Sequence, residues 1–217
     1  MIQRLLQIQY GETSLPQSWI FSGGDPSVRV PIILSVFYIE TAQRKILVDA
    51  GCDNLPGFPL KNFRSPLAAL QEKGIAPGDI TDIFLTHAHQ DHAGCVGCFP
   101  QALVHIQADE YPLIQAYLAP GQAVRTFQDS AFLDELRLLR ISGHSRGSSV
   151  AELDFEGKCC VLCGDECYSP YNLLHKTPTG RSFSPENSRG FIEKYADETY
   201  ICLLSHAKFE QKGCEDL

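Results

Sequence analysis

Residues 86–98 read THAHQDHAGCVGC, which places His87, His89, Asp91 and His92 within six positions. Imidazole and carboxylate together form the donor set of zinc-type ions, and such a set becomes catalytic when one coordination position stays open for water. Four donors this close hold one ion and cannot complete two. Any second ion therefore needs partners from elsewhere in the chain. Three residues have the right character, because each is a polar side chain at the end of an apolar run: His144 in ISGHSRGSS, Asp165 in VLCGDE and His206 in LLSH. Their joint occurrence in this order points to a composite metal site.

Such a site needs strands that deliver its side chains to one place. IILSVFYIE (32–40) and ILVDAG (46–51) are apolar runs flanking a polar turn, the pattern of a hairpin that ends in Asp49-Ala50-Gly51. SPLAALQEKG (65–74) opens with Ser-Pro and closes with Gly, which predicts a short helix with Leu67 and Leu70 on one face. ITDIFLTH (80–87) predicts a strand running into the histidines, and ALVHIQ (102–107) another, followed by a helix over 109–118. The second half repeats the scheme. LRLLRIS (136–142) leads to Gly143-His144, residues 148–166 predict two strands about the turn Glu156-Gly157-Lys158, SPENSRGFIEKYA (184–196) predicts a Ser-Pro-started helix, and TYICLLSH (199–206) predicts the last strand. Two halves, each with a hairpin, a helix and a strand tipped by a polar residue, suggest an internal duplication. Residues 169–184 form the longest irregular stretch, either a mobile surface loop or a pocket wall built on Tyr171, Leu173, Leu174 and Phe183.

A chain of 217 residues predicts one domain over 1–217. Its 26 acidic and 18 basic side chains leave a formal charge of −8, which repels a polyphosphate backbone and argues against nucleic acid as partner. No run approaches the roughly 18 apolar residues of a membrane span, and the first residues do not read as an export signal, so a cytoplasmic protein without a membrane partner is expected. Nine cysteines are an odd number, and in a reducing compartment they read as free thiols. The lone CxxC pair Cys95/Cys98 is weak evidence for anything more, with a redox or secondary metal role as the alternative. Strand alternation places Cys163 on the face of Asp165, beneath the expected site. His105 and His175 are read as structural or surface histidines.

The order HxHxDH, GHxxGS, GD and SH, running from about Ile32 to the C-terminus, resembles the metallo-β-lactamase-fold hydrolases. That resemblance implies an α/β fold, an αββα four-layer sandwich built from two similar halves, with a dinuclear site between the sheets. It implies two divalent ions, zinc in the first instance, with iron or manganese as alternatives. His87, His89 and His144 would hold one ion and Asp91, His92 and His206 the other. Asp165 would bridge them, and Asp49 would support the ligands from behind. A water activated between the ions to hydroxide would attack an ester-like bond.

Asp165-Glu166-Cys167-Tyr168, the SHAKFEQ ending and the VPIILSVFYIE opening resemble the N-acyl homoserine lactonase-like branch, in which a tyrosine three positions after the bridging aspartate contacts the lactone carbonyl. Asp91 and Tyr168 are thus the expected catalytic residues, with the Tyr168 phenol donating to an oxyanion or a leaving alkoxide. The expected partner is a small-molecule ester, lactone or thioester, with room for a homodimer. GHSRGS is closer to the form shared with hydroxyacylglutathione hydrolases, which makes a thioesterase the alternative. Outside hydrolysis, the same donors suit an iron-dependent redox enzyme or a non-catalytic metal-containing ligand sensor.

Overall fold

Both expected hairpins form. The computed structural model, which describes residues 1–208, begins with β1 (Ile2–Pro16), the single-turn helix α1 (Gln17–Ile20), β2 (Arg29–Thr41) and β3 (Lys45–Val48). Then come α2 (Pro66–Glu72), β4 (Asp82–Phe84), α3 (Gln90–Ala93), β5 (Leu103–Gln107), α4 (Tyr111–Ile114) and β6 (Val124–Phe127). These six strands form one sheet in sequential order, antiparallel from β1 to β3 and parallel from β3 to β6. The second sheet is built from β7 (Ser130–Leu133), β8 (Leu136–Arg140), β9 (Ser149–Phe155), β10 (Lys158–Leu162) and β11 (Tyr200–Leu203). Its order is β11-β10-β9-β8-β7, and only β10 and β11 run parallel. Between β10 and β11 the chain forms α5 (Pro170–Leu174) and α6 (Pro185–Tyr195).

Strand alternation sorts the apolar side chains into three layers. Phe37, Ile39, Ile46, Val48 and Phe84 of the first sheet meet Leu136, Leu138, Ala151, Leu153, Leu162 and Leu203 of the second in one core. Their neighbours Val36, Tyr38, Leu47 and Ile83 point the other way and pack with Leu70 of α2. On the far side of the second sheet, Val150 and Val161 lie under Phe191, Ile192 and Tyr195 of α6. The result is the expected αββα stack of helix, sheet, sheet and helix. β2 is buried on both faces, which is why it reads as one apolar run rather than an alternation. Both Ser-Pro helix starts behave as predicted: Ser65 accepts the Ala68 N–H and Ser184 accepts the Asn187 N–H. The two halves share a hairpin, a helix and a returning parallel strand, as β2-β3-α2-β4 and as β9-β10-α6-β11.

Other expectations are corrected. The strand expected over 80–87 covers only Asp82–Phe84, and the helix expected over 109–118 is the single turn of α4, with Pro112 in its first turn. The stretch 169–184 is not wholly irregular: Ser169 and Asn172 cap α5 reciprocally. Cys163 does not lie beneath the site. β10 ends at Leu162, a 3₁₀ turn over Gly164–Glu166 breaks the alternation, and Cys163 packs with Val161, Phe191 and Ile192 under α6. Among the described residues no helix is long and apolar enough to cross a membrane.

A buried carboxylate ties the parallel strands together. Asp82 on β4 is fully buried and meets Arg44 Nη1 at 2.6 Å and His105 Nε2 on β5 at 2.8 Å. His105 is thus structural, as expected. Burial works against the Asp82 charge, but the bonds from His105 and Arg44 win and hold its pKa down at about 2. A carboxylate with a depressed folded pKa stabilises above its unfolded value and loses that contribution as the pH falls through the folded one. Asp82→Ala should therefore cost about 3 kcal/mol at neutral pH, measured by denaturant unfolding. The difference between variant and wild type should shrink as the pH falls from 3.8 towards about 2.

Candidate metal centre

The strand directions gather the polar ends. β3 and β4 run parallel, as do β10 and β11, so Asp49, His87, Asp165 and His206 all follow the C-terminal ends of their strands. β8 lies two antiparallel steps from β10 and runs the same way, which brings His144 to the same edge. His87, His89, His144 and Asp165 offer ligand atoms within 4.8 Å of one another, and Asp91, His92 and His206 form a second such group. All seven residues expected at the site come together here.

Asp165 stands between the groups. Its Oδ1 lies 2.9 Å from His206 Nε2 and 3.0 Å from His92 Nε2. Its Oδ2 lies 3.3 Å from His144 Nε2 and 3.7 Å from His87 Nε2. Asp91 Oδ2 completes the second group at 3.7 Å from His92 Nε2 and 3.9 Å from His206 Nε2.

Each inner histidine has its outer nitrogen anchored by an acceptor, which fixes the tautomer. His206 Nδ1 faces the Ile33 carbonyl at 3.0 Å, and His144 Nδ1 faces the Arg181 carbonyl at 3.3 Å. His92 Nδ1 lies 2.7 Å from Asp49 Oδ2. Thr86 donates its hydroxyl to Asp49, so its oxygen is left to accept from His87 Nδ1 at 3.0 Å. The Nε2 atoms of these four rings therefore face the centre.

The loops carrying these rings are held by residues that motif reading missed. Glu110 accepts from the Ala88 N–H, the Ser145 hydroxyl and the Gly147 N–H, clamping the loop before His89 to the loop after His144. Glu166 accepts from the Gly143 and His144 N–H groups and from Ser148. A Cβ on Gly143 would overlap the Glu166 carboxylate. Gly164 of the Gly-Asp pair has φ +50° and would place a Cβ 2.8 Å from Thr86 Cβ, so that position requires glycine. Tyr10 on β1 donates to the Asp91 carbonyl at 2.9 Å, while Gln7 donates to the carbonyls of Leu204 and Ala207. Gly143, Gly164 and Glu166 lie within stretches already singled out, but Gln7, Tyr10 and Glu110 had no sequence signal beyond a polar residue, because their partners lie far along the chain.

The donor set fits divalent cations. His92 Nε2 is buried and makes no hydrogen bond. His89 Nδ1 faces both His87 Nε2 and His144 Nε2 at 2.9 Å, and one proton cannot serve both contacts. Burial, reinforced by neighbouring histidines, holds His87 well below its usual pKa, and burial brings His144 down to about 4. Those rings are neutral, with lone pairs available to a cation. Around His92 burial opposes the charged form, but Asp165, Asp49 and Asp91 raise its pKa well above the usual value, and Asp165 likewise raises His206. A cluster of carboxylates that draws protons onto imidazoles is one that a cation can neutralise instead.

A cleft of about 180 Å³ opens onto this centre. Its walls are Leu15, Trp19, Leu55 and Phe58, with Arg181 at 4.2 Å over the Trp19 ring. The expected wall of Tyr171, Leu173, Leu174 and Phe183 is not the one found. Only Arg181 of that stretch lines the cleft, and Leu174 and Phe183 are exposed. Tyr168 does line it, stacked on His206, with its hydroxyl donating to Asp165 Oδ2 at 2.6 Å.

Comparison with known proteins agrees with this geometry. The family model of the Metallo-beta-lactamase superfamily matches residues 31–197. The N-acyl homoserine lactonase of Bacillus cereus is 24% identical over 243 aligned positions, covering 99% of this chain and 97% of that protein. N-acyl homoserine lactonase AiiB of Agrobacterium fabrum is 25% identical over 146 residues, 56% of this chain and 52% of that protein, so this match spans about half of each. The crystal structure of a quorum-quenching N-acyl homoserine lactone hydrolase superposes with a TM-score of 0.84 at 23% identity, covering 99% of this chain and 96% of that one. The chain belongs to the metallo-β-lactamase superfamily of hydrolases, and its fold is the one seen in those lactonases.

Proposed function

We propose that this chain is a dinuclear metal-dependent hydrolase, folded as one domain, that opens a lactone. The observation that carries the reading is Asp165, whose two carboxylate oxygens each face a different histidine group. His87, His89 and His144 would hold one ion, Asp91, His92 and His206 the other, and Asp165 would bridge them. The ions are zinc in this reading, with iron or manganese accommodated by the same donors. What two divalent ions supply in such a cluster is Lewis acidity, which lowers the pKa of water towards neutrality and polarises a carbonyl.

The chain's own groups do the rest. Burial, followed by the Asp165 charge, pushes the Tyr168 phenol well above its usual pKa, so it keeps its proton at any physiological pH. That O–H stands at the inner end of the cleft, placed to donate to an oxyanion or to the departing alkoxide. A lactone keeps its leaving alkoxide tethered to the acyl carbon, so one fixed donor serves both events. The apolar walls exclude water from the acyl group, and the cleft's volume suits a compact one. A thioester of an anionic thiol such as glutathione is the second reading. The exposed Arg181 guanidinium at the cleft, suited to pairing a carboxylate, is the feature that favours it.

Activity assayed across lactones, glutathione thioesters and phosphodiesters, with metal content measured alongside, separates these readings; lactone turnover should lead. Asp165→Ala should lose bound metal and at least about 100-fold in kcat/KM. Tyr168→Phe should keep the metal and lose about 100-fold in kcat; turnover equal to wild type would remove Tyr168 from the mechanism. Stripping the ions with a chelator should lower Tm by about 5–10 °C, read by calorimetry, because the histidines and carboxylates lose the cation that neutralises them.

A further inference from the structure

A further cluster of metal-type donors lies apart from the histidine and aspartate centre. Cys95 Sγ, Cys98 Sγ and a carboxylate oxygen of Asp53 are all within 4.8 Å of one another. We propose that these three residues bind a thiophilic divalent cation of the zinc class, at a third site separate from the histidine and aspartate centre.

The geometry is preassembled from two segments. The 3₁₀ turn Val96–Cys98 carries the CxxC pair, and the Cys98 N–H donates to the Cys95 carbonyl at 2.9 Å, bringing the two thiols to one side. Asp53 arrives on the loop after β3, which is fastened to the same turn by the Cys95 N–H donating to the Gly51 carbonyl at 2.9 Å. Gly94 permits this approach, since a Cβ there would sit 3.2 Å from Cys52 Cβ. Cys95 is buried, whereas Cys98 and Asp53 are exposed, so the cluster has a fixed floor and an open mouth for an ion and one water. Two thiolates and a carboxylate repel one another when deprotonated, and a divalent cation removes that repulsion.

The site's location gives it a consequence. The Ala50 and Gly51 N–H groups both donate to the His92 carbonyl. An ion joining Asp53 to Cys95 and Cys98 would therefore brace the loop that follows Asp49 against the helical segment bearing Asp91 and His92.

Cadmium(II) titrated into the reduced full-length protein, its histidine centre already loaded with metal, tests this. The catalytic centre has no sulfur donor, so a thiolate-to-cadmium charge-transfer band reports only on thiol sites. Wild type should develop the band, saturating at one equivalent. Cys98→Ser, at an exposed position, should lose it while retaining the ions of the histidine centre; Cys95→Ser should behave alike, and Asp53→Asn should weaken binding at least about 10-fold. No band in wild type, a band that survives both cysteine substitutions, or a Cys95–Cys98 disulfide found in place of ion binding would each overturn the proposal. The metal content of Cys98→Ser reports separately on the catalytic centre.

Discussion

A carboxylate buried between two sheets is tolerable only if something positive or hydrogen-bonding meets both of its oxygens, and Asp165 imposes that requirement on the whole molecule. Four imidazoles converge on it from three stretches of chain, His87 and His92 from one and His144 and His206 from two others. The histidines fill one side of the demand and leave their own lone pairs facing inward. The centre is therefore a device for holding charge that the chain alone does not balance.

The fold is arranged to bear this strain. Parallel pairs β3/β4 and β10/β11 aim their ends at the same edge, and sheet alternation lets the strands be apolar up to the last residue before a polar tip. Cross-links between segments distant in sequence then set the rings: Asp49 with Thr86 and His92, Glu110 with two loops, Glu166 with the His144 turn. The first sheet also grips the last histidine, since the Ile33 N–H donates to the His206 carbonyl and the Ile33 carbonyl faces its ring. The N-terminal strand thus contributes to the site through Gln7 and Tyr10 without supplying a ligand.

What could be read from sequence was what is local. The HxHxDH run, the Gly-Asp after an apolar strand, the Ser-His ending and the Ser-Pro helix starts each lie within a few residues, and each occurs where expected. β1 escaped because its pattern is mixed. Arg4, Gln7 and Gln9 interrupt the apolar positions, and a bulge between Gln9 and Gly11 shifts the register so that no single two-residue period runs along it. The placement of Cys163 failed for a related reason, since alternation holds only while the strand lasts. Asp53 and Glu110 were invisible as site elements because their roles depend on packing between distant segments. The cleft's apolar walls come from the end of β1 (Leu15), the single turn of α1 (Trp19) and the connection after β3 (Leu55 and Phe58), and no short motif encodes how these meet.

The proposed sharing of Asp165 between two cations is the point on which the site stands or falls. Anomalous diffraction from crystals of the metal-loaded protein, recorded at the absorption edge of the bound metal, tests it directly. Two peaks are expected in the histidine cluster, one beside His87, His89 and His144 and one beside Asp91, His92 and His206, with an Asp165 oxygen directed at each. A single peak, or two peaks with Asp165 outside them, would contradict it.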